Sequence, residues 1–133
     1  MKILLDTHIL IWYIRKNEQM PSKAKALIED ENNEIFFSVL NIWEIYLKSA
    51  LNKELITKNI CNFTADLIEN GFEPLPLTPR NLYQLENIVQ TSKEIHKDPF
   101  DNCLLAQAKS SGSYLLTHDH CFKNYKDENI ILV

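Results

Sequence analysis

Short apolar runs alternate with helix-period stretches along the whole chain, and this alternation constrains the fold more than any other feature. Lys2 to Leu5 is an apolar run ending in Asp6 and predicts a buried strand; Thr7 to Ile14 follows as a nearly all-apolar helix. Met20-Pro21-Ser22 opens a second helix carrying Ala24, Leu27 and Ile28 at helical spacing. Ile35 to Val39, β-branched and aromatic, predicts a strand, and a helix is expected from about Asn41 to Asn52. After a turn at Leu55 to Lys58 comes a helix from Ile60 to Asn70, closed by Gly71. Phe72 to Leu77 holds a short strand whose Pro74 and Pro76 place it at a sheet edge. Thr78-Pro79 starts a helix expected to run to about Val89, Pro99 to Ser110 forms another, and Tyr114 to Thr117 and Ile130 to Val133 are the last strands. Strands separated by helices form a parallel sheet covered on both faces, the α/β class.

With 133 residues, the chain is long enough to bury a core without disulfides or structural metal, and one domain over 1–133 is expected. Cys61, Cys103 and Cys121 form no Cys-x-x-Cys pair and read as reduced thiols. No run is long enough to span a bilayer, and Asp6 interrupts the only stretch resembling a signal peptide, so a cytosolic protein without membrane contact is expected. Two glycines exclude a glycine-rich phosphate loop. The net charge of −4 argues against a generic basic nucleic-acid binder, so any such contact must be local, with lysines such as Lys48, Lys53, Lys93, Lys97 and Lys109 as flanking candidates or plain solvated cations.

Four acids fall where such a sheet brings its strand ends together: Asp6 after the first strand, Glu44 on the apolar stripe of its helix, Asp101 in Asp98-Pro99-Phe100-Asp101, and Asp119 after Tyr114 to Thr117. Carboxylates gathered at the carboxyl edge of a parallel sheet repel one another unless a hard cation neutralises them, and Mg²⁺ or Mn²⁺ suits an all-oxygen shell. That chemistry points to metal-assisted phosphodiester hydrolysis. Each acid also has a plainer reading. Asp6 and Asp98 suit N-caps, Glu44 a capping box with Asn41, Asp101 the first turn of a helix, and Asp119 a turn. His118 and His120 read as surface loop residues.

Taken together, Leu4-Leu5-Asp6-Thr7-His8, Ser38 through Trp43-Glu44-Ile45, His96-Lys97-Asp98-Pro99-Phe100-Asp101 with Leu104-Leu105-Ala106-Gln107-Ala108, and Leu115-Leu116-Thr117-His118-Asp119 resemble the PIN domain. Within that family they resemble the VapC toxin nucleases of bacterial type II toxin–antitoxin pairs. The resemblance implies a five-stranded parallel sheet in a three-layer α/β/α sandwich, Mg²⁺-dependent endoribonuclease activity, homodimerisation, and neutralisation by an antitoxin tail. Asp6, Glu44, Asp101 and Asp119 match the family's acidic quartet as catalytic and metal-binding residues, with Thr7 and Asp98 supporting. Asn102 stands where relatives of this subgroup commonly carry arginine, and His120 where a further acid is frequent.

Trp12, Tyr13, Trp43 and Tyr46 are apolar surface beyond what one sheet face needs and are candidates for antitoxin contact; Trp43 reads equally as core. Rival readings are a PIN nuclease of RNA processing without an antitoxin, a protein-binding module whose acids are only caps, and a receiver or phosphatase-like domain. His8 in place of a second aspartate argues against the phosphatase, and the lack of a lysine after Leu115-Leu116-Thr117 against the receiver.

Overall fold

Ile3, Leu4 and Leu5 are wholly buried on consecutive positions, so their strand has apolar neighbours on both faces. In a computed structural model describing residues 1–133, this strand, β1 (Lys2–Leu5), is the middle of a five-stranded parallel sheet. The others are β2 (Glu34–Ser38), β3 (Glu73–Leu75), β4 (Tyr114–Thr117) and β5 (Ile130–Leu132), in the order β3-β2-β1-β4-β5. Leu4 pairs with Phe36 on one side, and Leu5 with Leu116 on the other. The chain builds outward from β1 to β3, then crosses back to place β4 on the opposite side of β1. Strand order therefore reverses between β1 and β4, where open α/β sheets leave a crevice at their carboxyl ends.

The intervening helices are α1 (Thr7–Ile14), α2 (Ser22–Glu29), α3 (Val39–Leu51), α4 (Ile60–Glu69), α5 (Pro79–Tyr83) and α6 (Pro99–Ser111). One core layer joins Ile3, Leu5, Ile35, Phe37 and Leu116 to Ile9, Leu10, Ala24, Ile28, Ile45, Phe63 and Leu67 of α1 to α4. On the other face Leu4, Phe36 and Leu115 pack against Leu104, Leu105 and Ala108 of α6, with Leu40, Phe122 and Tyr125. These layers are the expected α/β/α sandwich. Pro74 lies in the edge strand β3, as its missing N–H requires. No helix is long and apolar enough to cross a membrane.

The elements expected from sequence are present, with three shifts. Val39 belongs to α3 rather than to the second strand, because Ser38 caps the helix: its hydroxyl accepts the Leu40 N–H while Asn41 Oδ1 accepts the Ser38 N–H at 2.6 Å. The helix starting at Pro79 ends at Tyr83 and tightens into a 3₁₀ turn over Gln84–Asn87, short of Val89. A 3₁₀ turn absent from the sequence reading spans His120–Asn124.

Candidate active site

Asp6 leaves the middle strand as N-cap of α1, its N–H donating to Leu116 O at 2.9 Å and its own Oδ1 accepting the Thr7 N–H at 2.7 Å. The cap role and a place at the crevice are therefore compatible. Its Oδ2 accepts the Thr117 hydroxyl at 2.6 Å, and Thr117 Oγ1 in turn accepts the Asp119 N–H at 3.0 Å. One buried hydroxyl at the end of β4 thus links the acids that follow the two adjacent strands.

Glu44 is only 5% exposed. The Ser38–Asn41 capping box removes the competing Asn41–Glu44 box, leaving Glu44 free to point inward. Its Oε1 accepts the Thr7 hydroxyl at 2.5 Å, and its Oε2 lies 2.8 Å from Lys48 Nζ, one helical turn on. Asn41 Nδ2 donates to Thr7 Oγ1 and to Leu5 O, so Thr7 is held from both sides. The Thr7 hydroxyl therefore orients Glu44 in this structure. Of the flanking lysines considered above, Lys48 reaches the acids, whereas Lys109, in the last turn of α6, pairs with Asp127 at 2.8 Å.

Asp101 is buried at the start of α6, where Asp98 Oδ1 accepts the N–H groups of Phe100 and Asp101 and Pro99 occupies the first turn. Asp98 is thereby the helix cap. Asp101 Oδ2 lies 2.6 Å from His96 Nε2. Burial, reinforced by the charge of Asp6 and opposed by the His96 contact, pushes the Asp101 carboxyl up to about 7, with Asp98 and Asp119 adding to the rise. Asp6 is also raised: burial dominates, opposed by the Thr117 hydroxyl and the Thr7 N–H and assisted by Glu44. For Asp119, burial alone would raise the carboxyl, but the N–H and thiol of Cys121, with His96 and His8 nearby, outweigh it and hold Asp119 below its ordinary value. Asp101 is thus the acid that feels the charge of both Asp6 and Asp119.

Asp6, Asp101 and Asp119 offer only oxygen donors, and the repulsion that Asp101 feels from the other two is what a hard divalent cation relieves. The residues present therefore fit Mg²⁺ or Mn²⁺.

The sequence profile of the PIN domain matches residues 3–128. The chain belongs to the PIN-domain family. Comparison with curated protein sequences finds no match. Among solved structures, the crystal structure of VapBC2 from Rickettsia felis bound to a DNA fragment from their promoter is similar over 100% of this chain and 98% of that one, with a TM-score of 0.66 and 18% sequence identity. At that identity the likeness speaks to the fold. It agrees with the five-stranded PIN-like sandwich seen here.

Sequence reasoning missed four residues of this PIN site. Thr117 was visible only as a strand end, and Lys48 only as one lysine among several. Asn41 was seen as a competitor for Glu44 rather than as a brace for Thr7. His96 stood inside the Asp98-Pro99-Phe100-Asp101 neighbourhood, five residues before Asp101, and its position in that motif was the available signal. Asn102 donates to His96 O at 3.3 Å and accepts the Tyr125 hydroxyl at 2.6 Å, so the residue replacing the subgroup's arginine supports the His96 loop.

Trp12 and Tyr13 are half-buried, Trp12 edge-on to His118 at 5.6 Å and Tyr13 against Phe72 at 5.4 Å. Trp43 and Tyr46 are exposed, at 57% and 56%. The core reading of Trp43 is thus set aside: α3 turns Leu40 and Ile45 inward and Trp43 outward, where its ring meets Phe100 edge-on.

Proposed function

We propose that this PIN domain is a Mg²⁺-dependent endoribonuclease, with Mn²⁺ as a substitute, and the toxin member of a toxin–antitoxin pair. The observation carrying this reading is the Asp101 carboxyl at the β1/β4 switch point, driven up to about 7 by burial and by the charges of Asp6, Asp98 and Asp119. A divalent ion held by these three, with Glu44 binding directly or through water, supplies the charge that neutralises the cluster and lowers the pKa of an attacking water. Around it the chain's own residues keep the carboxylates in place. Thr117 fixes Asp6 and Asp119 together, Thr7 and Lys48 hold Glu44, and Asp98 sets the helix start that presents Asp101. A protein of net charge −4 leaves the RNA phosphate to be attracted by the bound ion and by local cations such as Lys48, whose side chain is 39% exposed.

A cognate antitoxin is the proposed protein partner, and a second copy of the chain the proposed homodimer partner. Support comes from the exposed Trp43 and Tyr46 on α3 and from a surface cleft where Trp12, Tyr13, Ile14 and Met20 stand among polar residues such as Lys16 and Glu18. The similar fold of VapBC2 adds analogy. An arginine from the antitoxin fits the carboxylate cluster, since bidentate pairing with an acid is its strongest contact. The test is cleavage of a mixed RNA by purified protein with Mg²⁺, which should stop on chelation and on addition of the antitoxin encoded beside this gene. Cleavage without such a neighbour favours the RNA-processing nuclease, and the absence of both cleavage and metal binding favours a protein-binding module.

A further inference from the structure

A ring nitrogen of His96, a carboxylate oxygen of Asp119 and Cys121 Sγ lie within 4.8 Å of one another, on the rim of the carboxylate cluster. Asp101 Oδ2, 2.6 Å from His96 Nε2, adds a fourth donor. We propose that His96, Cys121, Asp119 and Asp101 form a mixed nitrogen, sulfur and oxygen site for a borderline-soft divalent ion such as Zn²⁺, distinct in chemistry from the all-oxygen Mg²⁺ site and inhibitory to it.

A tetrahedral zinc ion with bonds of about 2.0 to 2.3 Å keeps its ligands roughly 3.3 to 3.8 Å apart. The trio lies within 4.8 Å, and His96 Nε2 and Asp101 Oδ2 are 2.6 Å apart in a hydrogen bond, so the shell assembles by side-chain rotation as the ion takes the place of the proton between them. The backbone that carries the histidine is held: its main-chain N–H donates to Gln90 Oε1 at 2.6 Å and its carbonyl accepts Gln90 Nε2 at 2.8 Å. The ring itself is packed edge-on against Phe122 and Tyr125. Asp119 uses Oδ1 to accept the Cys121 N–H, and the Cys121 thiol bonds the same carboxylate, which keeps the two side chains together on one turn. Cys121 is exposed, so an ion from solvent reaches it, and coordination releases its thiol proton to water.

The neighbouring trio His96, Asp98 and Asp101 also converges, but Asp98 Oδ1 already receives two N–H groups as the α6 cap and the trio has no sulfur. Imidazole and thiolate favour Zn²⁺ over Mg²⁺, whereas carboxylates alone do not. Because Asp101 and Asp119 serve both sites, zinc draws them from the Mg²⁺ cluster. The site stands on the geometry alone; its inhibitory effect rests on the nuclease reading.

The test uses metal-free full chain and Co²⁺ as the probe. Titration should give a thiolate-to-cobalt charge-transfer band in the near ultraviolet that Zn²⁺ displaces. The band should disappear in Cys121→Ala, weaken in His96→Ala, and persist in Cys61→Ala and Cys103→Ala, with thermal melts in chelator confirming that each variant folds. Zn²⁺ affinity should drop at least about 10-fold in Cys121→Ala, and Zn²⁺ inhibition of Mg²⁺-driven RNA cleavage should shift by a similar factor. No band in folded wild-type protein, or an undiminished band in Cys121→Ala, overturns the site. Cobalt binding in a protein that cuts no RNA leaves the site standing and removes the nuclease reading instead.

Discussion

The Thr117 hydroxyl donates to Asp6 Oδ2 at 2.6 Å across 111 positions of sequence. Thr117 is wholly buried and Asp6 nearly so, so the bond satisfies an acid that has little other access to solvent. Removing a partner from a buried polar group costs about 1–3 kcal/mol. Thr117→Val should therefore lower unfolding stability by about 2 kcal/mol in metal-free protein, and Thr117→Ser should restore most of it. Urea denaturation of the three proteins measures both, and equal midpoints for wild type and Thr117→Val would show that the bond contributes nothing.

Asp6→Asn and Asp101→Asn should each lower Mg²⁺-dependent RNA cleavage by at least about 100-fold, since each removes a charged ligand from a cluster that acts as a unit. Both variants should stay folded, and Asp101→Asn should be more stable than wild type without metal because like-charge repulsion and buried charge are relieved. Cleavage rates paired with thermal melts separate lost chemistry from lost structure.

Stability without metal should fall as pH rises. Asp101 titrates at about 7 in the folded state against about 4 in the unfolded chain. Between these values the folded protein holds a proton that the unfolded chain has released, so stability is highest below about pH 4 on this account and is lost toward pH 7. The Asp101 contribution is on the order of 2 to 4 kcal/mol across that window. Asp6, also raised, acts in the same sense, while Asp119, held low, gains stability as it ionises in a more acidic window. The readout is the difference between wild type and Asp101→Asn from pH 5 to pH 8, which should widen up to about pH 7 and then level off.

Millimolar Mn²⁺ or Mg²⁺ should raise the melting temperature, because the ions bind the assembled cluster and not the unfolded chain. The shift should be larger at pH 8 than at pH 6, since the cation competes with the Asp101 proton, and absent in the Asp6→Asn/Asp101→Asn double variant. A shift independent of pH would place the ion elsewhere.

Trp12→Ala should weaken antitoxin binding by about 2 kcal/mol, the scale of an aromatic hot spot. Trp43→Ala offers the cleaner comparison, because its ring is more exposed and its loss disturbs less of the core. Calorimetric titration of both folded variants locates the surface: unchanged affinity in each would move the antitoxin contact away from α1 and α3.

The amino-acid sequence by itself determined the elements whose cause lies within a few neighbouring residues. Asp98-Pro99 starts α6 and Gly71, at a φ of 88°, follows the end of α4, because capping and left-handed backbone are local effects. Ile3-Leu4-Leu5, apolar without alternation, marked β1 as a buried strand, and the alternation of strands with helices along the chain implied the covered parallel sheet. The acids at strand ends were legible for the same reason. Tertiary structure decided what each acid does there. Whether Glu44 served Asn41 or the site depended on Ser38 taking the capping box, and its actual partner, Thr7, lies 37 positions away. The histidine contact on Asp101 comes from a loop that Gln90 holds by its backbone, and the rise of Asp101 to about 7 comes first from burial and then from Asp6 beside it. Helix and strand signals act over one turn or one pleat, whereas burial and Coulomb interaction depend on distance in space, which the sheet order sets and no short stretch of sequence contains.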